Sequence, residues 1–238
     1  MENIRESSEA TFVAPREELE VRLTKIWEQV LNVRPIGIKD NFFELGGHSL
    51  LAVRLFAEIE KMSGQKLPLA TLFQSQTIAD LAGVLRQSGW SAPWSSLVLI
   101  KPGAEKPPIF CVHPIGGNIL EYQALARYLD QDQPVYGIQS VGLDGEQEPL
   151  RRVEDMAEHY IQAIRSLQPN GPYFLAGYSF GGLIAFEMAR QLNAQGQNVG
   201  HLALFDRSIP HLVKIRPSLI QFMQIHLSNF CISGLFNC

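Results

Sequence analysis

The stretch Asp40-Asn41-Phe42-Phe43-Glu44-Leu45-Gly46-Gly47-His48-Ser49-Leu50-Leu51-Ala52-Val53-Arg54-Leu55 decides how the amino-terminal part of this 238-residue chain is read. One hydroxyl, Ser49, sits between a glycine-punctuated loop and an apolar run. Gly46 and Gly47 let the backbone approach a partner closely, and Ser49 is a favoured N-cap for a helix beginning at Leu50. The hydroxyl is therefore expected to be exposed, at the positive end of a helix. Leu50, Leu51, Val53, Leu55, Phe56 and Ile59 cover most of the circumference of a helix over Leu50 to Met62, which is expected to be central and to stop at Gly64. Of the two residues nearest Ser49 on that helix, Leu50 and Val53, core burial is the expectation for Val53. Phe42 and Phe43 are expected to plug the core from the loop.

Working outward, Pro15 suits a first helical position, and Glu17, Glu18 and Glu20 favour a helix N-terminus. Leu19, Leu23, Ile26 and Val30 keep the 3.6-residue period of a first helix. Asn32 to His48 is a long loop broken by Pro35 and Gly37, and Leu67 to Phe73 is a short connection. Thr77-Ile78-Ala79-Asp80 has capping-box form, with Asp in place of Glu, before a last helix carrying Leu81, Val84 and Leu85. The expectation is a small all-α four-helix bundle over residues 15–87, preceded by a polar leader or linker at 1–14. Gln87 to Ser96, reading QSGWSAPWSS, is linker-like, and residues 88–96 are set as the boundary.

Beyond it the pattern changes. Leu97 to Ile100, Ile109 to Val112 and Val135 to Ile138 are short apolar runs between Pro and Gly, while Ile119 to Leu129 and Val153 to Leu167 are helical. This alternation predicts a parallel sheet with crossover helices. Tyr173 to Ala176 reads as a buried strand, Leu183 to Leu192 as a helix, and between them lies Gly177-Tyr178-Ser179-Phe180-Gly181-Gly182. A serine between glycines at a strand-to-helix turn can adopt the strained elbow that exposes a nucleophile. His113-Pro114-Ile115-Gly116-Gly117 also follows a strand and precedes a helix, so the Ile115 and Phe180 amides are candidates to hold an oxyanion. His113 itself is read as structural. Asp206 follows the apolar run Leu202 to Phe205, where a carboxylate can orient an imidazole.

Position by position, Asp40 to Leu50 resembles the attachment motif of peptidyl carrier domains of nonribosomal peptide synthetases. That resemblance covers residues 15 to about 87. It implies that Ser49 carries a covalent 4'-phosphopantetheine arm, placed there by a phosphopantetheinyl transferase, whose thiol holds acyl or peptidyl chains as thioesters. FCVHPIGG, GYSFGG and LFD, in that order behind a carrier, resemble a type I thioesterase of the α/β-hydrolase superfamily. This second resemblance covers 97 to about 210. It implies Ser179 as acyl acceptor, Asp206 as the acid of a triad, an acyl or peptidyl thioester as substrate, and release by water or an internal nucleophile. Partners implied are upstream synthetase modules with adenylation and condensation domains.

A net charge of −4 provides no basic footprint for nucleic acid. Met1 to Phe12 lacks the apolar core of a secretory signal, and Cys111, Cys231 and Cys238 are too scattered for a disulfide framework or a zinc site. A cytoplasmic protein is expected. Pro217 to Cys238 has no charged residue, yet Gln221, Gln224, His226, Ser228 and Asn229 argue against a membrane span.

In the resembled hydrolases the base is a histidine well beyond the acid. Here only His211 and His226 follow Asp206, the first too close to it and the second in a lid-like apolar stretch. The hydrolase half, 97–238, is therefore expected to be incomplete at its C-terminus. Three readings stay open: a carrier with a truncated thioesterase, a carrier module with a catalytically dead remnant, and an active hydrolase using His211, His226 or a histidine from a second chain.

Overall fold

The computed structural model describes residues 3–4, 12–87, 95–143 and 145–205. Helix α1 (Glu18–Leu31) starts three residues after Pro15, which stands outside it. The extended residue Glu17 is the N-cap, and the buried Glu20 accepts a 2.7 Å hydrogen bond from the Arg16 amide, tying down the chain ahead of the helix. α1 ends at Asn32 in the left-handed region and runs into β2 (Val33–Arg34), which pairs in parallel with β1 (Asn3–Ile4).

Helices α2 (Ser49–Ser63), α3 (Thr71–Gln74) and α4 (Ile78–Leu85) complete this half. Gly64, at φ +72, closes α2 by donating to the Glu60 carbonyl. Thr77 caps α4 by accepting from the Asp80 amide at 3.2 Å. Asp80, one methylene shorter than Glu, does not complete a box at the backbone but accepts from the Thr77 hydroxyl at 2.7 Å. Leu23, Trp27, Leu55, Ile59, Leu72 and Ile78 are fully buried together with Phe42, whose ring meets Trp27 edge-on at 5.4 Å. Both loop phenylalanines thus enter the core, as their placement predicted.

Two expectations for α2 are corrected. Ser49 is its first helical residue, with His48 as N-cap, because His48 already holds extended backbone angles and its carbonyl accepts from Ala52. Val53 is 46% exposed and Leu50 66%, since α1 and α4 leave that side of α2 uncovered.

The second half is a five-stranded sheet ordered β3-β5-β4-β6-β7. Its elements are β3 (Leu97–Lys101), β4 (Ile109–Val112), α5 (Tyr122–Tyr128), β5 (Val135–Ile138), α6 (Val153–Leu167), β6 (Tyr173–Tyr178), α7 (Phe180–Ala194) and β7 (Val199–Phe205). All neighbours are parallel except β3, which runs antiparallel to β5, so the predicted parallel sheet is mixed at one edge. Antiparallel edge strands on otherwise parallel sheets are common. α7 begins three residues earlier than its apolar period suggested, at Phe180, because glycines 181 and 182 carry no apolar signal yet are helical.

The sheet is covered on both faces. Phe110, Val112 and Leu175 pack with Tyr160 and Ile164 of α6 and Ile184 and Met188 of α7. On the other face Val98, Ile100, Cys111 and Ala176 pack with Tyr122 and Ala126 of α5, and this apolar cluster continues into the helical half. The two halves meet along α5, where the Arg127 guanidinium lies 5.9 Å from the centre of the Phe43 ring. Among the described residues, no helix is long and apolar enough to cross a membrane.

Candidate functional sites

Ser49 is presented by the loop before it. The Phe42 amide donates to the Gln76 carbonyl at 2.9 Å, and the Asn41 side-chain amide donates to Gln76 Oε1 at 2.6 Å, fixing this loop to the start of α4. The Gly47 amide in turn donates to the Phe42 carbonyl at 2.9 Å. A Cβ on Gly47 would stand 2.4 Å from the Phe42 ring, so only glycine allows the backbone this close. Gly46, at φ +89, makes the turn between them. Ser49 then follows half-exposed at the first turn of a 15-residue helix.

The helix start has no side-chain cap, so its first N–H groups are not taken by a side-chain acceptor. That end is suited to an anion such as a phosphodiester on Ser49. The Glu121 carboxylate, just before α5, lies near the Ser49 hydroxyl. Desolvation raises the Glu121 carboxyl above its ordinary range, and the Ser49 hydroxyl works in the opposite direction.

At the other serine the backbone is strained. Ser179 has φ 55 and ψ −120, an arrangement L-residues adopt only under constraint. The constraint is visible on both sides. Its amide donates to the Phe205 carbonyl at 2.9 Å, and its own carbonyl accepts from the Gly182 amide at 2.9 Å. A Cβ on Gly177 would lie 2.2 Å from the Gly181 carbonyl oxygen, and one on Gly181 would lie 2.3 Å from that of Val112. The glycines thus permit α7 to start directly above the ends of β4 and β6, which leaves the Ser179 side chain exposed.

Phe180 is the first residue of α7, so its N–H has no acceptor within the helix. In the facing loop, Pro114 to Gly117 is a turn closed by the Gly117 amide on the Pro114 carbonyl at 2.9 Å. Closure does not use the amide of Ile115, whose side chain is 79% exposed. Both candidate oxyanion donors therefore belong to segments that leave strand ends of one sheet.

His113 is buried, with Nδ1 2.7 Å from the Pro114 carbonyl and Nε2 2.8 Å from the Tyr160 hydroxyl. A carbonyl only accepts, so Nδ1 carries the proton and Nε2 accepts from Tyr160. Both nitrogens are engaged away from Ser179. Burial holds the imidazole below its ordinary value, partly opposed by the Pro114 carbonyl. Asp206, His211 and His226 lie outside the described residues, as do Trp90, Trp94, Cys231 and Cys238.

Two residues at the start of α5 escaped the reading of the sequence. Glu121 touches Ser49, and Tyr122 bonds to the strand ends beneath Ser179: its hydroxyl donates to the Val112 carbonyl at 2.6 Å and accepts from the Tyr178 amide at 2.8 Å. Neither carries a local signal, because each acts across a distance of many residues.

The phosphopantetheine attachment site family matches residues 21–85, and the thioesterase domain family matches residues 107–218. Malpinin synthetase of Mortierella alpina is 45% identical over 197 residues, which are 82% of this chain and 2% of that one. The dimodular nonribosomal peptide synthase of Bacillus subtilis (strain 168) is 39% identical over 202 residues, 85% of this chain and 8% of that one. Among solved structures, a holo four-domain nonribosomal peptide synthetase bound to AMP and glycine superposes with a TM-score of 0.50 at 39% identity, over 91% of this chain and 16% of that one. The chain thus spans only a small part of the curated relatives it matches, 2% of the first and 8% of the second. A pinned loop that presents a serine at a bare helix end, followed by a glycine-flanked elbow on a covered sheet, agrees with these matches: the chain carries a phosphopantetheine attachment domain followed by a thioesterase domain, and over most of its length it is similar to nonribosomal peptide synthetases.

Proposed function

We propose that the chain carries acyl or peptidyl intermediates on Ser49 and releases them at Ser179 in nonribosomal peptide or hybrid peptide-polyketide biosynthesis. The observation that carries this reading is that a half-exposed serine, Ser49, and an exposed one, Ser179, stand at helix starts, each beside N–H groups without a helical acceptor, in one chain. Residues 15–87 form the carrier as a four-helix bundle, 88–96 the linker, and 97–238 an α/β-hydrolase-type thioesterase. The 4'-phosphopantetheine arm on Ser49 supplies a terminal thiol that holds the acyl chain as a thioester. For that anchor Ser49 offers its hydroxyl oxygen, and the first turn of α2 offers N–H groups to the phosphate.

At Ser179, Oγ attacks the carbonyl carbon of the acyl thioester substrate while a base takes the hydroxyl proton. The Ile115 and Phe180 amides hold the negative charge that develops on the carbonyl oxygen, a contribution of about 3–4 kcal/mol per donor in comparable sites. Collapse breaks the C–S bond, the leaving sulfur takes the proton, and the acyl group remains on Ser179 as an ester. Water or a nucleophile within the chain then releases it. Asp206 is the acid that orients the base, which is not His113, whose two nitrogens are committed. The partners are a phosphopantetheinyl transferase and upstream adenylation and condensation domains, in the cytoplasm.

Intact mass after incubation with coenzyme A and a broad-range phosphopantetheinyl transferase tests the carrier role. The wild type should gain one phosphopantetheine and Ser49→Ala none. No gain in folded wild type would overturn the reading.

A further inference from the structure

We propose that Tyr122 is a positioning residue for acyl transfer: its hydroxyl is spliced into the ladder between β4 and β6 and sets the separation of the Ile115 and Phe180 amides. The proposal rests on the reading above that Ser179 is the nucleophile.

In a parallel ladder, the carbonyl of a residue accepts from the residue that follows its partner. Val112 is paired with Gly177, so the next bond should run from the Tyr178 amide to the Val112 carbonyl. Tyr122 stands in that bond. Its hydroxyl donates to the Val112 carbonyl at 2.6 Å and receives the Tyr178 amide at 2.8 Å. One oxygen inserted between donor and acceptor parts the two strands at their carboxyl ends, where open α/β sheets place their sites.

The opening is used at once by the elbow. Gly181 sits so near that a Cβ on it would be 2.3 Å from the Val112 carbonyl oxygen and 2.6 Å from that of His113. Val112 leads directly into the turn that bears the Ile115 amide, and Tyr178 leads directly to Ser179 and Phe180. The spacing of the two donor segments is thus inherited from the spacing that Tyr122 imposes one or two residues earlier. Tyr122 is 3% exposed and rests on the same cluster as Cys111 and Ala126, so the hydroxyl has little freedom to move. Burial raises its phenol well above the ordinary range, which keeps it a donor to Val112.

A hydroxyl that only satisfied two backbone groups would matter for stability and nothing else. The two roles separate in the kinetics of Ser179 modification by a fluorophosphonate, followed by intact mass on the full chain. In Tyr122→Phe the maximal inactivation rate kinact should fall about tenfold to a hundredfold, since losing one oxyanion donor costs about 10²–10³ and a misplacement of about 1 Å costs about 10². KI should stay within about twofold, because the probe's binding groups are untouched. Coenzyme A-dependent loading of Ser49 should be unchanged, and Ser179→Ala should not be labelled.

An unchanged kinact in folded Tyr122→Phe overturns the proposal while leaving Ser179 as nucleophile. Absence of labelling in the wild type overturns the nucleophile itself, and the proposal with it. Should Tyr122→Phe not fold, 3-fluorotyrosine at position 122 keeps the ring and hydroxyl but weakens the oxygen as an acceptor from Tyr178. A kinact reduced about threefold is then expected, and an unaltered one overturns the proposal.

Discussion

Replacing Gly47 by alanine should unseat Ser49 from two residues away. The added Cβ would lie 2.4 Å from Cδ1 and Cε1 of Phe42 and 2.5 Å from its carbonyl oxygen. The ring cannot retreat, because it is fully buried and held edge-on by Trp27 and Phe43, both at 5.4 Å. Either the core is overpacked, at about 1–3 kcal/mol, or the loop lifts. Lifting gives up the 2.9 Å bond from the Gly47 amide to the Phe42 carbonyl, worth about 1 kcal/mol. In a domain of this size each kcal/mol moves Tm by roughly 4–8 °C, so the helical half should melt roughly 5–20 °C lower. The transferase should also load Ser49 more slowly, because the serine moves with the loop. Gly46 provides the contrast, with φ +89 and open space around it. There the cost is purely conformational, about 1–2 kcal/mol for alanine, and asparagine should recover part of it. At Gly47 asparagine should recover nothing. Melting by circular dichroism and loading rates by mass decide the matter. A Gly47→Ala chain that melts within about one degree of wild type and loads at the wild-type rate would refute the steric account.

Thr77→Ala should lower the stability of the helical half by about 1 kcal/mol in urea titration, because α4 loses the side chain that caps its N-terminus. An unchanged midpoint would mean that packing of Ile78 and Leu81 alone sets this helix end. For His113, burial lowers the folded-state pKa beneath its ordinary 6.5. The unfolded chain then binds a proton that the folded chain refuses. This contribution to stability is complete above the ordinary value and is lost as pH falls from there through the depressed folded value. Tm should therefore fall on acidification from about pH 7.5 to about pH 5.5, and less steeply in His113→Asn. Equal slopes in the two proteins would exclude His113 as the group responsible.

Local requirements were legible in the sequence, and relational ones were not. The Ser179 elbow could be read because its glycines answer to backbone clashes within five residues, Gly177 against Gly181. The plug of Phe42 and Phe43 was equally readable, since two large apolar residues in a loop need somewhere to go. Val53 was misjudged for the opposite reason. An apolar helix circumference shows what can be buried, whereas the neighbours present decide what is, and on that side of α2 Val53 stays 46% exposed. The reversed direction of β3 has no periodic signature, since antiparallel and parallel strands share a two-residue alternation. Tyr122 was invisible because its function is defined by the β4–β6 register, a pairing between residues more than sixty apart in sequence.

In the proposed function the two serines put one structural device to two chemistries. Both stand where a helix begins and both face N–H groups that the helix cannot use. Ser49 has ordinary helical placement, and a single helix end would suffice for the proposed phosphodiester, a lasting anion that needs only a favourable field. At Ser179 the proposed acyl transfer develops a charge that exists only in the transition state, on an oxygen belonging to the substrate. One helix end then leaves the second donor to another segment, and the elbow strain brings Ser179 to the crevice where the turn after β4 supplies it. α5 borders both places, with Glu121 against Ser49 and Tyr122 beneath Ser179. Its first turn is therefore the segment on which a substitution has to be judged against both serines, and Tyr122→Phe, which leaves Glu121 intact, is the variant that separates them.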